Sequence, residues 1–313
     1  MEEGNERSEP FEYAGFHPLY GPCPVPGKFR VIFSKDWCDV THNADSNRIT
    51  RFAKDTTDYS SLPKLNFYGC SFTWGTGLND SETYPFLVQK SLQHYNISNK
   101  GIFAAGNLIS LLQLKNEIDR NIQPAIAIVT YANFHDQRNT FNREWATMIK
   151  QTFKTPVKRE TKQQAKQAAK FIDTLKFPMA RLKDNRLRIS YQKLNGNLFP
   201  FSKYLAISNC INYYLMCQDE KKMHSNLVSR RIFSEMNVLC KINNIRLIVA
   251  CLDNDQKSKK MQEYFNHEGI ENFSFDVDYE RNNEYNQFPD LHPNSKANKL
   301  YAQKIVNYLN KHL

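Results

Sequence analysis

The sequence lacks any apolar run long enough to cross a membrane, and it contains no internal repeat. Its first residues, Met1 to Arg7, also lack the basic start and apolar centre of a signal peptide. We therefore expect no transmembrane segment and a cytoplasmic location.

The cysteines lack any pattern typical of disulfides or metal sites. They are odd in number, scattered along the chain and never arranged as C-x-x-C, so we expect reduced residues of the core. No other cluster of His, Cys, Asp and Glu has the spacing of metal ligands, and we expect neither a metal nor another cofactor. The seven cysteines are Cys23, Cys38, Cys70, Cys210, Cys217, Cys240 and Cys251.

The composition predicts one main domain with additions. The chain has 313 residues, of which 41% are hydrophobic and 13% aromatic, enough to bury a large core. Residues 1–63 are rich in proline, glycine and aromatic residues and lack helical periodicity, so we expect a β-rich extension packed on a domain of residues 64–313. The favoured interpretation is that this extension only packs on the main domain. The alternative is that it helps to shape a substrate pocket.

Apolar runs and helical patterns alternate in the main domain. Ala125 to Tyr131 and Arg246 to Leu252 are typical of strands buried on both faces. Such alternation predicts an α/β fold with a parallel sheet between helices, and ligands of these sheets bind at the carboxyl ends of the strands. The helical patterns span residues 84–95, 107–120, 202–216, 225–243, 256–266 and 294–313.

One serine lies between two glycines where a strand is predicted to end. The segment is Gly69-Cys70-Ser71-Phe72-Thr73-Trp74-Gly75, and it follows the apolar run Leu65 to Tyr68. A tight turn there exposes the Ser71 hydroxyl beside backbone N–H groups that can bind an anion, as a nucleophile requires. A structural serine is the commoner case, so the interpretation needs a base and an acid elsewhere in the chain.

A candidate base and acid stand near the C-terminus, in Pro289-Asp290-Leu291-His292-Pro293-Asn294. Residues two apart in an extended segment project to the same side, so Asp290 and His292 can converge in one site. Pro293 disfavours a helix at His292, and Asn294 or Ser295 is suited to cap the helix that follows. The alternative is a capping aspartate beside a surface histidine.

The two segments together resemble the SGNH, or GDSL-like, hydrolases. Gly69 to Gly75 resembles the first block of that family, usually G-D-S-L-T-x-G, with Cys70 in place of aspartate. Asp290 to Asn294 resembles its last block. The resemblance covers roughly residues 64–136 and 245–313, and it implies a three-layer αβα flavodoxin-like fold.

The two inner blocks of the family match less closely. Its second block supplies a glycine, which falls here within Asn99 to Gly106. The register places this glycine at Ala104, with Gly101 and Gly106 as alternatives. The third block is G-x-N-D, of which Tyr131-Ala132-Asn133-Phe134 keeps Asn133.

The resemblance implies a serine esterase with a catalytic triad. Ser71 would be the nucleophile, His292 the base and Asp290 the residue that orients it. The backbone N–H groups of Ser71 and Ala104 and the side-chain amide of Asn133 would bind the oxyanion. The candidates for substrate binding are His135, Arg138 and Trp74, of which Trp74 better suits the core or the wall of the pocket.

Basic residues concentrate in the middle of the chain. The segment from Lys150 to Arg188 contains twelve Lys or Arg and three acidic residues. Its net charge is therefore +9, in a chain whose total net charge is +10. We expect a basic helical insertion at about residues 138–200. A helical stripe recurs every fourth residue, at Lys158, Lys162, Lys166 and Lys170.

The stripe is either a solvated helix face or a surface for an anionic partner. The candidates for such a partner are an acidic polysaccharide, a phosphate-bearing acyl donor and a nucleic acid. A nucleic acid is the least favoured of these, since aromatics are sparse in this segment and it has no nucleic-acid-binding motif.

Three functions therefore remain open from the sequence. The first is hydrolysis of an O-acyl ester, with an O-acetyl ester of a carbohydrate as the preferred substrate. The second is O-acyl transfer by the same triad, and the third is a non-catalytic binding or scaffold protein that kept the fold.

Overall fold

A computed structural model describes residues 7–9, 13–33, 36–154, 174–194, 206–287 and 290–312. In chain order the strands are β1 (Arg7–Glu9), β2 (Ala14–His17), β3 (Gly21–Pro24), β4 (Gly27–Phe33), β5 (Asp36–His42), β6 (Lys64–Tyr68), β7 (Asn96–Asn99), β8 (Ile126–Tyr131), β9 (Lys176–Lys183), β10 (Arg186–Lys193), β11 (Arg246–Cys251) and β12 (Glu271–Ser274). The helices are α1 (Ser71–Trp74), α2 (Tyr84–Ser91), α3 (Asn107–Asp119), α4 (His135–Thr140), α5 (Arg143–Lys154), α6 (Ala206–Met223), α7 (Ser225–Ile242), α8 (Gln256–His267) and α9 (Ser295–His312).

A five-stranded parallel sheet forms the centre of the molecule. Its strands lie in the order β7, β6, β8, β11 and β12, and every neighbouring pair is parallel. Counted along the chain, this is the order 2-1-3-4-5 of flavodoxin-like sheets. The predicted α/β fold is confirmed.

Alternating side chains of the strands face two separate cores. In β8, Ile126 and Ile128 face one core, whereas Ala127, Val129 and Tyr131 face the other. Helices α2 and α9 cover the first face, and α3, α7 and α8 cover the second. Burial on both sides explains why β8 is a continuous apolar run in the sequence.

The N-terminal extension is β-rich, as the sequence predicts. Strands β1, β4 and β5 form an antiparallel sheet, and β2 pairs with β3. Val31 and Val40 of this sheet pack against Trp74 of the main domain. Single backbone bridges from Arg48 to His42 and to Asn99 connect the extension to the edge strand β7.

The middle insertion differs from the sequence prediction, because its described part is only partly helical. Residues 143–154 form α5, but β9 and β10 form an antiparallel hairpin. Asp184 and Asn185 at its turn both have positive φ, as a two-residue type I′ turn requires. The sequence signal was the alternation of Leu187 and Ile189 with exposed polar residues.

The lysine stripe predicted at Lys158, Lys162, Lys166 and Lys170 lies outside the described residues. Across the described parts of the chain, no helix has both the length and the apolar character needed to span a membrane.

Candidate active site

The candidate nucleophile lies at the carboxyl edge of the central sheet. β6 ends at Tyr68, and α1 begins three residues later at Ser71. The neighbouring strands β7 and β8 end at Asn99 and Tyr131, just before the second and third sequence blocks. Since these strands are parallel neighbours, all three blocks meet at one edge.

Ser71, His292 and Asp290 are joined by hydrogen bonds. His292 Nε2 lies 2.9 Å from Ser71 Oγ, and His292 Nδ1 contacts Asp290 Oδ2. Ser71 is 7% exposed, whereas the side chains of His292 and Asp290 are 21% and 39% exposed. A serine, an imidazole and a carboxylate in this order can generate a nucleophilic alkoxide.

The loop that carries Asp290 and His292 is fastened to the nucleophile segment by Gln287. The Gln287 amide donates to the carbonyls of Thr76 at 2.7 Å and Pro293 at 3.2 Å. Its own backbone N–H donates to His292 O at 2.8 Å. The sequence analysis missed Gln287, because its partner lies 211 residues away in the chain.

The loop ends where α9 begins, and the first turn of this helix is capped. The Asn294 side-chain oxygen accepts from the backbone N–H groups of Lys296 and Ala297, at 3.0 and 3.2 Å. Asn294 is therefore the N-cap of α9, one of the two positions that the sequence predicted.

The segment Gly69 to Gly75, here called the nucleophile turn, is packed too tightly for a side chain at Gly69. A Cβ there would overlap the hydroxyls of Thr130 and Thr73. The second block is bound to the same turn, since Ile102 N–H donates to Gly69 O and the Asn99 amide donates to Thr73 O, both at 2.9 Å. These contacts fix the Ser71 backbone relative to its neighbours.

Arg48 of the N-terminal extension holds the far side of the nucleophile turn. Its guanidinium donates to the carbonyls of Trp74, Gly75 and Leu78, at 3.0, 2.6 and 2.5 Å. It also pairs with Asp80 at 2.9 Å and is 1% exposed as a residue. The sequence analysis missed this role, which makes the extension part of the site's scaffold.

The two backbone N–H groups expected to bind an oxyanion are those of Ser71 and Ala104. Among the described residues, neither the N–H of Ser71 nor that of Ala104 donates a hydrogen bond. Ala104 has φ of 63°, a left-handed conformation that favours glycine. This conformation agrees with the register that places Ala104 at the family's second-block glycine.

Gly101, an alternative donor, lies too deep to meet a substrate. Its N–H donates to the Asn99 side chain at 3.0 Å, and a Cβ on it would overlap the backbone nitrogen of Trp74. Gly106 begins α3 as its N-cap.

Asn133 follows β8 and is held by two acidic residues after β11. Its backbone N–H donates to Asp253 Oδ2 at 2.7 Å, and its side-chain amide donates to Asp255 Oδ2 at 2.6 Å. An amide nitrogen carries two hydrogens, so Asp255 leaves one for another acceptor. The sequence analysis missed both aspartates, which lie about 120 residues from Asn133.

The sheet order and the positions of the four blocks in the fold resemble those of the SGNH hydrolases. Cys70, in place of the usual aspartate, is fully buried in the core under the first block, and burial raises the pKa of its thiol.

The comparison with solved structures gives alignments at low sequence identity. A protein assigned to the lipolytic G-D-S-L family from Desulfitobacterium hafniense DCB-2 is 14% identical, with 77% of this chain and 96% of that chain covered and a TM-score of 0.37. A member of the lipolytic G-D-S-L family from Veillonella parvula DSM 2008 is 10% identical, with 78% and 96% covered and a TM-score of 0.39.

A further similar structure is that of a carbohydrate esterase whose active site displays divergent catalytic and non-catalytic binding functions. It is 12% identical, with 99% of this chain and 88% of that chain covered and a TM-score of 0.42. No protein-family model and no curated protein matches this chain. The geometry of the site is therefore the evidence for function.

Two of the three predicted substrate-binding residues are inaccessible in this SGNH-like fold. Trp74 is 1% exposed and donates from Nε1 to His42 Nε2 at 3.1 Å. His135 is 0% exposed, and its Nδ1 accepts from Ala132 N–H at 3.2 Å. Burial also lowers the pKa of His135 well below its usual value, so it is a neutral core residue. The prediction for His135 was wrong because apolar packing decides this position, whereas Trp74 occupies the core position that the sequence favours over a substrate contact.

Arg138, the third predicted contact, is half-buried at the edge of the second block. Its guanidinium stacks on Phe134 and Trp145, with 4.3 Å to each ring, and donates to Ala105 O at 3.1 Å. No carboxylate of the described residues forms an ion pair with it. Its role in substrate binding stays a prediction.

A small apolar cavity of about 30 Å³ lies beside Ala104. The extension, the second block, α5 and the hairpin all contribute to its wall, with Pro22, Ile102, Trp145 and Phe177 among the lining residues. No three described His, Cys, Asp or Glu side chains are arranged to hold a metal ion.

Proposed function

We propose that this protein is a serine esterase of the SGNH type that hydrolyses a short O-acyl ester. The observation that supports this most directly is the hydrogen-bonded series Ser71, His292 and Asp290, with Ser71 Oγ at 2.9 Å from His292 Nε2. The two motifs lie 221 residues apart in the chain, and a scaffold without chemistry would have no need of this alignment.

In the first step the Ser71 hydroxyl attacks the ester carbonyl while His292 Nε2 takes its proton. Asp290, on Nδ1 of the imidazole, holds the tautomer that leaves Nε2 free to accept and stabilises the imidazolium that forms. His292 then gives the proton to the leaving alcohol oxygen, which yields an ester of Ser71.

In the second step water attacks the acyl-Ser71 ester, and His292 serves again as the base. Both steps pass through a tetrahedral oxyanion, which the N–H groups of Ser71 and Ala104 would bind, with the second hydrogen of the Asn133 amide as a third donor. Among the described residues, neither of the first two groups donates a hydrogen bond.

The acyl group of the proposed substrate is small and its alcohol is large. The cavity of about 30 Å³ is lined by Ala104, the proposed second oxyanion donor, and not by Ser71, His292 or Asn133. We place the acyl group on the Ala104 side, where a cavity that holds one or two water-sized groups suits an acetyl methyl. The other side is open, because the side chains of His292 and Asp290 are partly exposed. A hydroxyl-rich alcohol such as a carbohydrate fits this asymmetry, so an O-acetylated carbohydrate is our proposed substrate class.

The test compares acyl chain length with the alcohol held constant. We expect kcat/KM on 4-nitrophenyl acetate to exceed that on the hexanoate ester, and Ser71→Ala to remove both activities while leaving the unfolding transition unchanged. Equal turnover of both esters would contradict the small acyl pocket. Retention of more than a few per cent of activity in Ser71→Ala would contradict the nucleophile.

A further inference from the structure

Asp253 is a buried carboxylate at the edge of the site that the triad mechanism does not use. It stands two residues beyond the end of β11 and is 6% exposed. Buried carboxylates are costly unless hydrogen bonds compensate them, so its partners identify what it stabilises.

Both oxygens of Asp253 accept hydrogen bonds from groups that lead to the site. Oδ2 accepts from Asn133 N–H at 2.7 Å, and Oδ1 accepts from the Tyr279 hydroxyl at 2.5 Å. Asp255 accepts from the Asn133 side-chain amide. Asn133, the proposed oxyanion donor, is therefore held by Asp253 at its backbone and by Asp255 at its side chain.

The Tyr279 ring extends this contact to the triad. It packs edge-on against Phe72, with ring centres 5.0 Å apart, and Phe72 packs against His292 at 5.2 Å. Phe72 is the residue after the nucleophile. Asp253 therefore lies where the third block, the nucleophile helix and the histidine meet.

We propose that Asp253 is a positioning residue for Asn133, and that it fixes the Asn133 loop fully only while its carboxylate is ionised. The proposal rests on the esterase function proposed above. The reason is the direction of its hydrogen bonds: Asn133 N–H can only donate and needs an accepting oxygen, and in the ionised state the Tyr279 hydroxyl donates to the other oxygen. A protonated carboxyl carries its own donor, and it loses the charge that strengthens both bonds.

The surroundings of Asp253 place its titration within the working range of an esterase. Burial raises its pKa from 3.8 to about 6; the hydrogen bonds from Tyr279 and Asn133 oppose this rise, and repulsion from Glu280 and Asp255 adds a smaller contribution to it. The other titratable or charged groups that face it are Arg138, Tyr131, Tyr301, Cys251 and Cys70.

The first test follows the backbone amide of Asn133 by ¹H–¹⁵N NMR between pH 4.5 and 8. We expect one transition near pH 6 in wild type and none in Asp253→Asn. In Tyr279→Phe the transition should move to higher pH, because the carboxylate has lost one donor. The same transition must persist in His292→Gln, and its disappearance there would assign it to the histidine and overturn the proposal.

The second test is the ratio of kcat between wild type and Asp253→Asn across the same pH range. Any pH effect that the two proteins share cancels in the ratio. A charge-assisted bond exceeds a neutral one by enough to change a rate about tenfold, so we expect a ratio of about ten at pH 8 that approaches one at pH 5, with KM unchanged.

Asp278→Asn is the matched control, since Asp278 is an exposed carboxylate next to Tyr279, on the loop after β12. It should behave as wild type in both tests. A pH-independent ratio for Asp253→Asn, in an enzyme that turns over esters, would overturn the positioning role alone. Absence of turnover in wild type would instead overturn the proposed function, and the NMR titration would still decide whether Asp253 controls the loop.

Discussion

Replacing Arg48 by alanine should destabilise the protein strongly, although Arg48 lies outside the SGNH-like domain. Its guanidinium makes an ion pair with Asp80 and donates to the carbonyls of Trp74, Gly75 and Leu78, all in the interior. Removing one partner of a buried ion pair typically costs about 3 to 5 kcal/mol, because the remaining charge stays unpaired. We expect a loss of that size in the free energy of unfolding.

The matched control is Arg30→Ala, in the same extension. Arg30 pairs with Asp39 at 3.5 Å, but the two side chains are 65% and 73% exposed. Exposed pairs contribute at most about 1 kcal/mol, so this variant should unfold almost as wild type does.

Urea unfolding of both variants, monitored by circular dichroism, measures the difference. The variant Arg48→Met with Asp80→Leu should recover part of the stability, because it leaves no unpaired charge. Its kcat should nevertheless stay below that of wild type, since the carbonyls of the nucleophile turn have lost their donor. Equal losses for Arg48→Ala and Arg30→Ala would refute the reasoning.

Three further predictions concern the edge of the sheet. Ala104→Gly should keep activity within about twofold and gain about 0.5 to 1 kcal/mol in unfolding free energy, because glycine adopts positive φ without strain; a destabilised variant would contradict the left-handed conformation. Asn133→Ala should lower kcat by about 10² to 10³ with little change in KM, and an effect on KM alone would instead make Asn133 a substrate contact. The folded-state pKa of Asp253 lies above its unfolded value, so ionisation of this group costs stability as pH rises from about 4 to 6. Asp253→Asn lacks this ionisation and should gain about 2 kcal/mol in unfolding free energy relative to wild type at pH 7 compared with pH 4, measured by urea unfolding. A pH-independent difference between the two proteins would contradict a raised pKa.

The central sheet was predictable because its signals are local. Buried strands such as Ala125 to Tyr131 are continuous apolar runs, and helices such as Ser225–Ile242 carry a regular apolar face. The hairpin of β9 and β10 was missed although its alternation is also local. The lysines at helical spacing that precede it, Lys158 to Lys170, favour a helical insertion instead.

The candidate site was predictable only where motifs are contiguous. Ser71, Asp290 and His292 each stand in a short block with its own turn or cap residues, and the fold brings these blocks together. Arg48, Asp253 and Gln287 belong to no block, since each acts through one partner far away in the chain. Burial likewise makes Trp74 and His135 core residues. The spacing of residues in a sequence does not distinguish a buried aromatic residue from one that contacts a substrate.

The central claim is that His292 activates Ser71 as a nucleophile. A fluorophosphonate probe reacts only with an activated serine, and peptide mass spectrometry locates the adduct. We predict one adduct, on Ser71, in the folded wild-type protein, and a rate of labelling lowered by orders of magnitude in His292→Gln. An unlabelled Ser71 in wild type, or labelling at the same rate without His292, would contradict the account.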